Sequence, residues 1–291
     1  MTLTHKIDFA VILSVHRANP NGDPLNGNRP RQDYEGYGEI SDVCLKRKIR
    51  NRLQDMGIPI LVQSDDRRHD AYRSIKERVD ANDQVKKFGT GKNQNSEWFA
   101  QAACAEWGDV RSFGQVFAFN QEKKGEGVSV GVRGPVSIHA AVSVDPINIS
   151  SMQITKSVNT DISANPDKKS SDTMGMKHRV DFGVYVFYGS MNPQLAEKTG
   201  FSADDAEKIR QALITLFEND ASSARPDGSM EIHRVYWWVH ASQLGQYSSA
   251  KVHRSLHITR KDGVSEARSI NDYDIAVEPL EGLSVHTYDG I

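Results

Sequence analysis

The chain has 291 residues, more than a typical single domain, which predicts one large domain or a core that carries long insertions. Apolar residues make up 38% and charged residues 25%, with 22 glycines and 10 prolines, and this ordinary globular composition excludes collagen-like, coiled-coil and wholly disordered chains. Because 36 basic residues face 38 acidic ones, the net charge of −2 indicates no class of partner, and only local clustering of charge can do so.

Cysteine usage and hydropathy point to a compartment. Cys44 and Cys104 have no metal-like spacing and exclude a disulfide scaffold, which favours a reducing cytoplasm. The longest apolar run, residues 9–15, is too short to cross a membrane and lacks the basic leader of a signal peptide. We therefore expect a soluble, cytoplasmic protein with no membrane partner.

The first third of the chain predicts a strand, a loop and a helix. Residues 7–15 are almost continuously apolar, which is typical of a strand buried on both faces. Residues 19–38 are rich in Asn, Gly and Pro, so we predict a long loop. Ser41 can cap a helix over residues 42–56, where apolar side chains recur at helical spacing before Gly57.

The rest of the chain predicts further helices and strands, separated by one long polar stretch. Residues 66–80 and 96–107 have helical patterns and are interpreted as an elaboration on the core, and residues 128–146 return to strand character. The stretch 148–177 is polar and can bury little. The last predicted elements are a strand over 180–188, a helix over 203–218 that Ser202 caps, and a strand over 231–240.

Without its insertions, this order is that of the α+β, ferredoxin-like β-α-β-β-α-β fold. In that arrangement two helices cover one face of a four-stranded antiparallel sheet. We expect the other face and the loops to remain available for ligands, as they are in RNA-recognition modules built on the same scaffold.

The predicted first helix is strongly basic. No acidic residue lies between Asp42 and Asp55, so its five cations cannot all pair locally. Lys46 and Arg50 lie one turn apart on one face, which suits successive phosphates. The alternative is a solvated helix face. The cations are Lys46, Arg47, Lys48, Arg50 and Arg52, with Arg29 and Arg31 in the loop before them.

A second basic cluster surrounds two methionines in the polar stretch. Met174 and Met176 lie among five basic residues that face a single acid, Asp172. This is either chance loop composition or a projecting hairpin whose apolar side chains contact bases while its cations hold the backbone. The basic residues are Lys168, Lys169, Lys177, His178 and Arg179.

Motifs for catalysis, metals and cofactors are not found in the sequence. His253 and His257 lie four apart, but their segment alternates like a strand and has no accompanying acid, so we predict no zinc site. Residues 89–92 lack the first glycine and the final Ser or Thr of a phosphate-binding loop, and no nucleophile elbow occurs. We expect neither a cofactor nor a metal.

Several motifs together resemble the backbone subunit of type I CRISPR Cascade complexes, and the type I-C branch is the most similar. The resemblance extends from about residue 7 to residue 258 and rests on NPNGDPLNGNRPR, GEISDVCLKRKIRNRL, VGVRGPVSIHAAVSVDPI, MGMKHRVDFGVYVFYG and VHASQLG, in that order.

The resemblance implies an architecture and partners. The chain would be a single RNA-recognition-like palm over residues 1–291, with a helical fingers insertion at 60–125 and a thumb hairpin at 149–178. Copies would polymerise head to tail along the CRISPR RNA and display it for pairing with target DNA in antiviral defence. The other implied partners are the guide-processing end subunit and the large and small subunits of Cascade.

The resemblance also implies RNA contacts, residue by residue. The LKRKIR motif, the loop before it, the glycine turn of GVRGPV and the end of the thumb are the segments involved. The implied RNA-binding residues are Asn19, Asn21, Arg29, Arg31, Lys46, Arg47, Arg50, Arg133, Val136, Met174, Met176, Lys177 and His178.

The main alternative is an enzyme on the same fold. A guide-processing endoribonuclease needs a general base, for which His16 and His178 are the candidates, and cutting of target RNA would require a loop aspartate, Asp23 or Asp33. A third reading is a general coating protein for single strands, which would not prefer guide RNA. Because no acid–base pair emerges from the motifs, we expect a binder without catalytic activity.

Overall fold

The computed structural model describes residues 1–89, 95–119, 128–155, 157 and 174–291. Three predicted features fall partly outside these ranges, namely the stretch 89–92, the insertion 60–125, and the interior of the predicted thumb with Lys168, Lys169 and Asp172. The strands are β1 Ile7–Ala18, β2 Gly22–Asp23, β3 Arg29–Pro30, β4 Tyr37–Ile40, β5 Gly114–Phe119, β6 Val128–Arg133, β7 Val136–Ile138, β8 Ala141–Pro146, β9 Ile149–Thr155, β10 Met174–Met191, β11 Met230–Val239, β12 Leu256–Arg260, β13 Tyr273–Val277 and β14 Val285–Asp289.

A large antiparallel sheet organises this mixed α/β fold. Its strands follow the order β14-β11-β1-β10-β8-β4, and β7 and β9 also pair with β10. Smaller sheets join β2 with β3, β5 with β6, and β12 with β13. The helices are α1 Asp42–Asp55, α2 Ile75–Asp80, α3 Asp83–Lys86, α4 Ser96–Glu106, α5 Gly108–Phe113, α6 Pro193–Thr199, α7 Ala203–Ile214 and α8 Ser249–Arg254.

The main core lies between one face of the sheet and helices α1 and α7. Alternate residues of β1 point to this side, among them Phe9 and Leu13, because side chains of a strand alternate between its faces. Leu45 and Ile49 of α1 and Ile209 of α7 pack against them. Ser41 accepts a hydrogen bond from the Cys44 N–H, so α1 begins where the sequence predicts.

The opposite face of the sheet is also covered, contrary to expectation. Ala10 and Ile12 of β1 and Trp238 of β11 join a second core with Val252 of α8 and Tyr273 of β13. This explains why β1 is apolar at consecutive positions, as predicted for a strand buried on both faces. The sequence interpretation missed α8, because it read the segment around His253 as a strand, whereas His253 lies in α8 and His257 in β12.

A buried polar cluster ties this C-terminal layer to β1. The fully buried Asp8 carboxylate lies 3.0 Å from Lys6 Nζ, 2.8 Å from His240 Nε2 and 3.8 Å from His253 Nε2. The Gln246 N–H donates to His240 Nδ1 at 3.0 Å, so Nε2 of His240 carries the proton that is donated to Asp8. The layer is therefore held by directed hydrogen bonds as well as by apolar packing.

The insertion between α1 and β7 has a core of its own, in which Val79, Phe99 and Phe117 are buried. The helix predicted over 66–80 is reduced to α2 at its end. The cause is local, because Ser74 and Glu77 form a capping box that starts the helix at Ile75. The chain before α2 is irregular, and its Asp70 carboxylate lies 2.7 Å from the guanidinium of Arg78 in α2.

Two further elements differ from prediction. The loop 19–38 contains the small β2–β3 hairpin, and the helix after Ser202 ends at Ile214, four residues before the predicted end. None of the helices within the described ranges is both long and apolar enough to cross a membrane.

Candidate nucleic-acid interface

The cations of α1 are all engaged, so the expectation of a free basic face is wrong. Their partners come mostly from distant segments that the local sequence does not reveal. Within the described chain the pairs are Lys46 Nζ–Asp42 at 2.9 Å, Arg47 with the Val62 carbonyl, Lys48 with Asp220, Arg50 Nε–Asp109 at 2.9 Å, and Arg52 Nη1–Asp55 at 3.2 Å.

Arg50 in particular is built into the protein interior. Its side chain is 13% exposed, and Asp109, its partner, is fully buried. The same Asp109 carboxylate accepts the N–H groups of Leu61 at 2.8 Å and Val62 at 3.2 Å. Arg50 therefore fastens the insertion to α1. Burial also lowers the pKa of Arg47, whose guanidinium donates to the Val62 carbonyl.

Lys46 is the α1 cation that remains available to a ligand. Its pair with Asp42 is a half-exposed contact one helical turn apart, and the hydrogen bond from Lys46 lowers the pKa of the Asp42 carboxyl. Helical ion pairs one turn apart contribute only about 0.3–0.5 kcal/mol. A phosphate can therefore replace Asp42 at small cost.

The Asn/Gly loop (residues 19–38) presents two arginines on a rigid turn. Asn19 is buried, with Nδ2 donating to the Asn28 carbonyl at 2.7 Å, while Asn21 Oδ1 accepts the Ser41 N–H at 2.9 Å. These two asparagines shape the loop and do not project from it. Arg31 Nη2 lies 3.7 Å from Asp23 and Arg29 lines the same open polar cleft of about 320 Å³.

The hairpin base (β9 with Met174–Val180 of β10) carries the second predicted cluster. Met174 and Met176 are 64% and 56% exposed, and strand alternation directs them to the same face as His178, with Lys177 on the other. The Lys177 Nζ donates to the Ser223 carbonyl at 2.8 Å. Large apolar side chains and cations are thus interleaved on one surface element.

A serine that the sequence interpretation overlooked joins the two clusters. Arg29 Nη1 donates to Ser151 Oγ at 3.2 Å, which leaves the Ser151 hydroxyl free to donate to His178 Nδ1 at 2.7 Å. The Asn/Gly loop and the hairpin base therefore meet, although 122 residues separate Arg29 from Ser151. No local pattern marks Ser151 for this role.

The two RNA contacts predicted at the glycine turn, Arg133 and Val136, differ in exposure. Arg133, at the end of β6, is exposed. Val136 is 5% exposed and belongs to the main core, where β7 packs against α1. Its side chain therefore does not lie on the surface where RNA could bind, contrary to the predicted RNA contact at Val136.

Three of the four residues considered for catalysis have hydrogen-bond partners, whereas His16 is exposed near the end of β1 and its ring has no hydrogen bond or ion pair within the described residues. Asp33 Oδ1 accepts the N–H groups of Glu35 and Tyr37, each at 2.9 Å, and Asp23 Oδ1 accepts that of Leu25 at 3.2 Å. Both aspartates thus form turns. Within the described chain, no three His, Cys, Asp or Glu side chains gather as a metal site.

The chain is similar to known CRISPR proteins. The family model described as CRISPR-associated protein Cas7 matches residues 5–278. A curated relative, the CRISPR-associated protein Cas7 of Haloferax volcanii, is 27% identical over 295 residues, which cover 96% of this chain and 83% of the relative.

Two solved structures resemble the fold at low sequence identity. A chain of a "CRISPR RNA-guided surveillance complex, pre-nicking" matches with a TM-score of 0.46 and 14% identity, covering 81% of this chain and 78% of the other. A chain of a "CRISPR RNA-guided surveillance complex" matches with a TM-score of 0.46 and 15% identity, covering 89% and 78%.

Proposed function

The chain belongs to the family of CRISPR-associated Cas7 proteins, and on that basis we propose that it is the CRISPR RNA-binding backbone subunit of a Cascade effector complex. The family match over residues 5–278 carries the proposal. In this function the protein does no chemistry. It holds the guide by its phosphates and displays the bases, and pairing with the guide selects the target DNA.

We propose a ferredoxin-like palm as the frame for this function. The strand order β11-β1-β10-β7, with α1 and α7 on one face, supports this fold. The separate core at residues 61–130 supports a fingers insertion at 60–125, and the projecting pair β9–β10 supports a thumb at 149–178. All are parts of the single domain over residues 1–291.

In this proposal the guide follows the Asn/Gly loop and the hairpin base. Phosphates are held by the exposed or weakly paired cations, because each such contact releases counterions and binds every sequence alike. Met174 and Met176 lie against bases, and the more buried residues shape the track. The phosphate-binding residues are Arg29, Arg31, Lys46, Arg133, Lys177 and His178, and the shaping residues are Asn19, Asn21, Arg47, Arg50 and Val136.

The proposed partners follow from polymerisation on the guide. Copies stack head to tail, a contact that is heterologous and can build an open helix rather than a closed ring. The guide-processing end subunit and the large and small subunits would join this array in the cytoplasm. Of the Cascade types, the motifs favour type I-C.

Co-expression with a CRISPR array tests the proposal. We expect the purified protein to carry RNA of a defined length that derives from the array, whereas a general coating protein for single strands would carry RNA of mixed length and sequence. Purification of RNA-free protein, or of protein with RNA of mixed length, would contradict the proposal. Incubation with precursor RNA and with target RNA should yield no cleavage products, with or without a divalent cation. Cleavage lost in Asp33→Ala or His178→Ala would identify an enzyme instead.

A further inference from the structure

A cleft of about 380 Å³ lies in the insertion, where the C-terminal end of α1 meets the α1–α2 connection, α2 and the C-terminal end of α4. Its apolar lining includes Ile58, Ile60 and Trp107, and Tyr72 adds a second aromatic side chain. The volume lies within the range of about 300–1,000 Å³ for ligand sites. Among the described residues that line the cleft, none belongs to the proposed guide track, so the cleft is a separate feature.

The charged side chains of the cleft leave one negative charge unbalanced. Arg78 and Asp70 neutralise each other, because the guanidinium donates to both carboxylate oxygens, at 2.7 Å and 2.9 Å. Glu106 is exposed, and within the described residues its carboxylate has neither an ion pair nor a hydrogen bond. With His69 counted as neutral, the described lining therefore carries one net negative charge, which lies on Glu106.

Glu106 lies at the end of a helix that disfavours a carboxylate. It is the last residue of α4, where the partial negative charge of the helix dipole repels it, and the last turn of α4 contains no basic residue. Arg111 donates to the Cys104 carbonyl at 2.6 Å, but its charge is already matched by Asp205 at 2.8 Å. The end of α4 therefore favours a bound cation.

A buried amide in the lining of the cleft lacks a donor. The side chain of Gln54 is 6% exposed, and its Nε2 donates to the Arg67 carbonyl at 2.6 Å. Within the described residues, Gln54 Oε1 has no hydrogen-bond partner. Because buried acceptors normally have a donor, this oxygen indicates that a ligand with N–H groups belongs beside it.

These features fit a primary ammonium group on a short aliphatic chain. An ammonium group has three N–H donors and no acceptor, which matches a free carboxylate and an unpartnered amide oxygen. Its methylene groups can lie against Ile58, Ile60 and Trp107, because burial of apolar surface is favourable. An anion would instead meet the unbalanced charge of Glu106.

We propose that this cleft binds a small aliphatic diamine of the polyamine class, with one ammonium group on Glu106 and the methylene chain against Trp107. The site goes beyond the proposed function, because it holds neither the guide nor another subunit. A free diamine fits better than a lysine of a protein partner. Of the large apolar side chains exposed in the described chain, Tyr72 alone lines the cleft, so the apolar contact area that a protein interface buries is lacking.

Photolabelling of the purified protein, together with the RNA that it carries, tests the site. The probe is a four-carbon diamine with a diazirine on its carbon chain, and mass spectrometry locates the labelled peptides after irradiation. We expect label on the peptides that contain Tyr72 or Trp107, and excess putrescine should reduce this label at least tenfold. Excess butane-1,4-diol, which has the same length and no charge, should not compete.

Two variants of α4 connect the label to Glu106. Glu106→Gln keeps the size of an exposed side chain and removes its charge, so the protein should fold, and the label in the cleft should fall at least fivefold. Glu97→Gln is the matched control, since Glu97 is an exposed acid in the first turn of the same helix and does not line the cleft. It should leave the label unchanged. Both variants should retain RNA of the same length, which separates this test from that of the proposed function.

Three outcomes would overturn the site. The first is a cleft without label, or with equal label in the wild type and Glu106→Gln. The second is equal competition by the diol, which would assign the cleft to uncharged ligands. The third uses a carbodiimide, which joins a carboxylate to a contacting amine with loss of water. Crosslinking of Glu106 to a lysine of another subunit, with no diamine label, would show that a protein partner occupies the cleft instead.

Discussion

The two basic regions of this protein look alike in sequence and differ in the structure. On α1, Arg50 pairs with the buried carboxylate of Asp109 and Lys48 with the half-buried carboxylate of Asp220, so these two positive charges are neutralised within the fold. In the Asn/Gly loop and hairpin base, Arg29 and Lys177 donate to a hydroxyl and a carbonyl, which are neutral. Net positive charge therefore remains at the second region. A run of cations marks a binding surface only where acids from elsewhere in the chain do not reach it.

The largest effect is expected when Asp109, the buried partner of Arg50 on α1, is replaced. Asp109→Ala would leave Arg50 buried without its partner and two backbone N–H groups without an acceptor, so we expect a loss of about 3–5 kcal/mol in the free energy of unfolding. Urea denaturation measures it. Asp204→Ala, at an exposed partner of Lys208, is the control and should change stability by less than about 0.5 kcal/mol. A loss below about 1 kcal/mol for Asp109→Ala would mean that Arg50 is not committed to the interior.

Acidification should lower the stability of the protein through His253, which lies in the buried polar cluster on the face of the sheet opposite α1. Burial lowers the pKa of His253 below its ordinary value, an effect that outweighs the attraction of Asp8. The folded state thus keeps this imidazole neutral while the unfolded chain takes up a proton below about pH 6.5. Stability should fall by about 1 kcal/mol between pH 7.5 and 5.5. His253→Gln, which keeps a donor for the Gly189 carbonyl, should flatten that dependence; an identical slope in the variant would assign it to other groups.

RNA binding should respond to the loop and hairpin rather than to α1. Replacing both Arg29 and Lys177 by alanine should reduce the salt slope of guide binding by about 1.4, roughly 0.7 for each phosphate contact. Arg50→Ala should lower stability and leave the slope unchanged. Lys208→Ala on α7 is the control for loss of one positive charge. If Arg50→Ala lowered the slope in a protein that remains folded, the distinction between the two regions would collapse.

Lys46 belongs to α1 but is only weakly paired, so its replacement should have the smallest effect on stability. Lys46→Ala should change the free energy of unfolding by no more than about 0.5 kcal/mol, because it breaks one half-exposed ion pair between neighbouring turns of a helix. The salt slope should still fall by about 0.7. Titration of fluorescent RNA at several salt concentrations measures it. An unchanged slope would confine the track to the loop and hairpin.

Local signals in the sequence predicted much of the frame. The bounds of α1 follow from the Ser41 cap and helical spacing, and β1 and β11 follow from runs of β-branched and aromatic residues. Such signals depend on neighbours along the chain. They failed at α8, a helix too short for its apolar periodicity to outweigh an alternating pattern.

The site was less predictable because its chemistry depends on distant partners. Asp109 lies 59 residues from Arg50, and Asp220 lies 172 residues from Lys48. A sequence identifies the cations but not the acids that reach them. Likewise Val136 has a β-branched side chain next to a basic glycine turn, and nothing local indicates that it points into the core.

Because β10 extends without a break from the large sheet into the hairpin base, its pairing in the sheet fixes the direction of the side chains in the hairpin base. Its residues Val180–Met191 are bonded to β1, and the same unbroken strand continues to Met174 in the hairpin base. Because side chains alternate, removing one residue from the bonded part would exchange Met176 and His178 for Lys177 on the outward face. Unless a bulge absorbs the change, insertions and deletions in this strand are tolerated only in pairs. The pairing of β10 with β1 thus determines which side chains the hairpin base presents on each of its two faces.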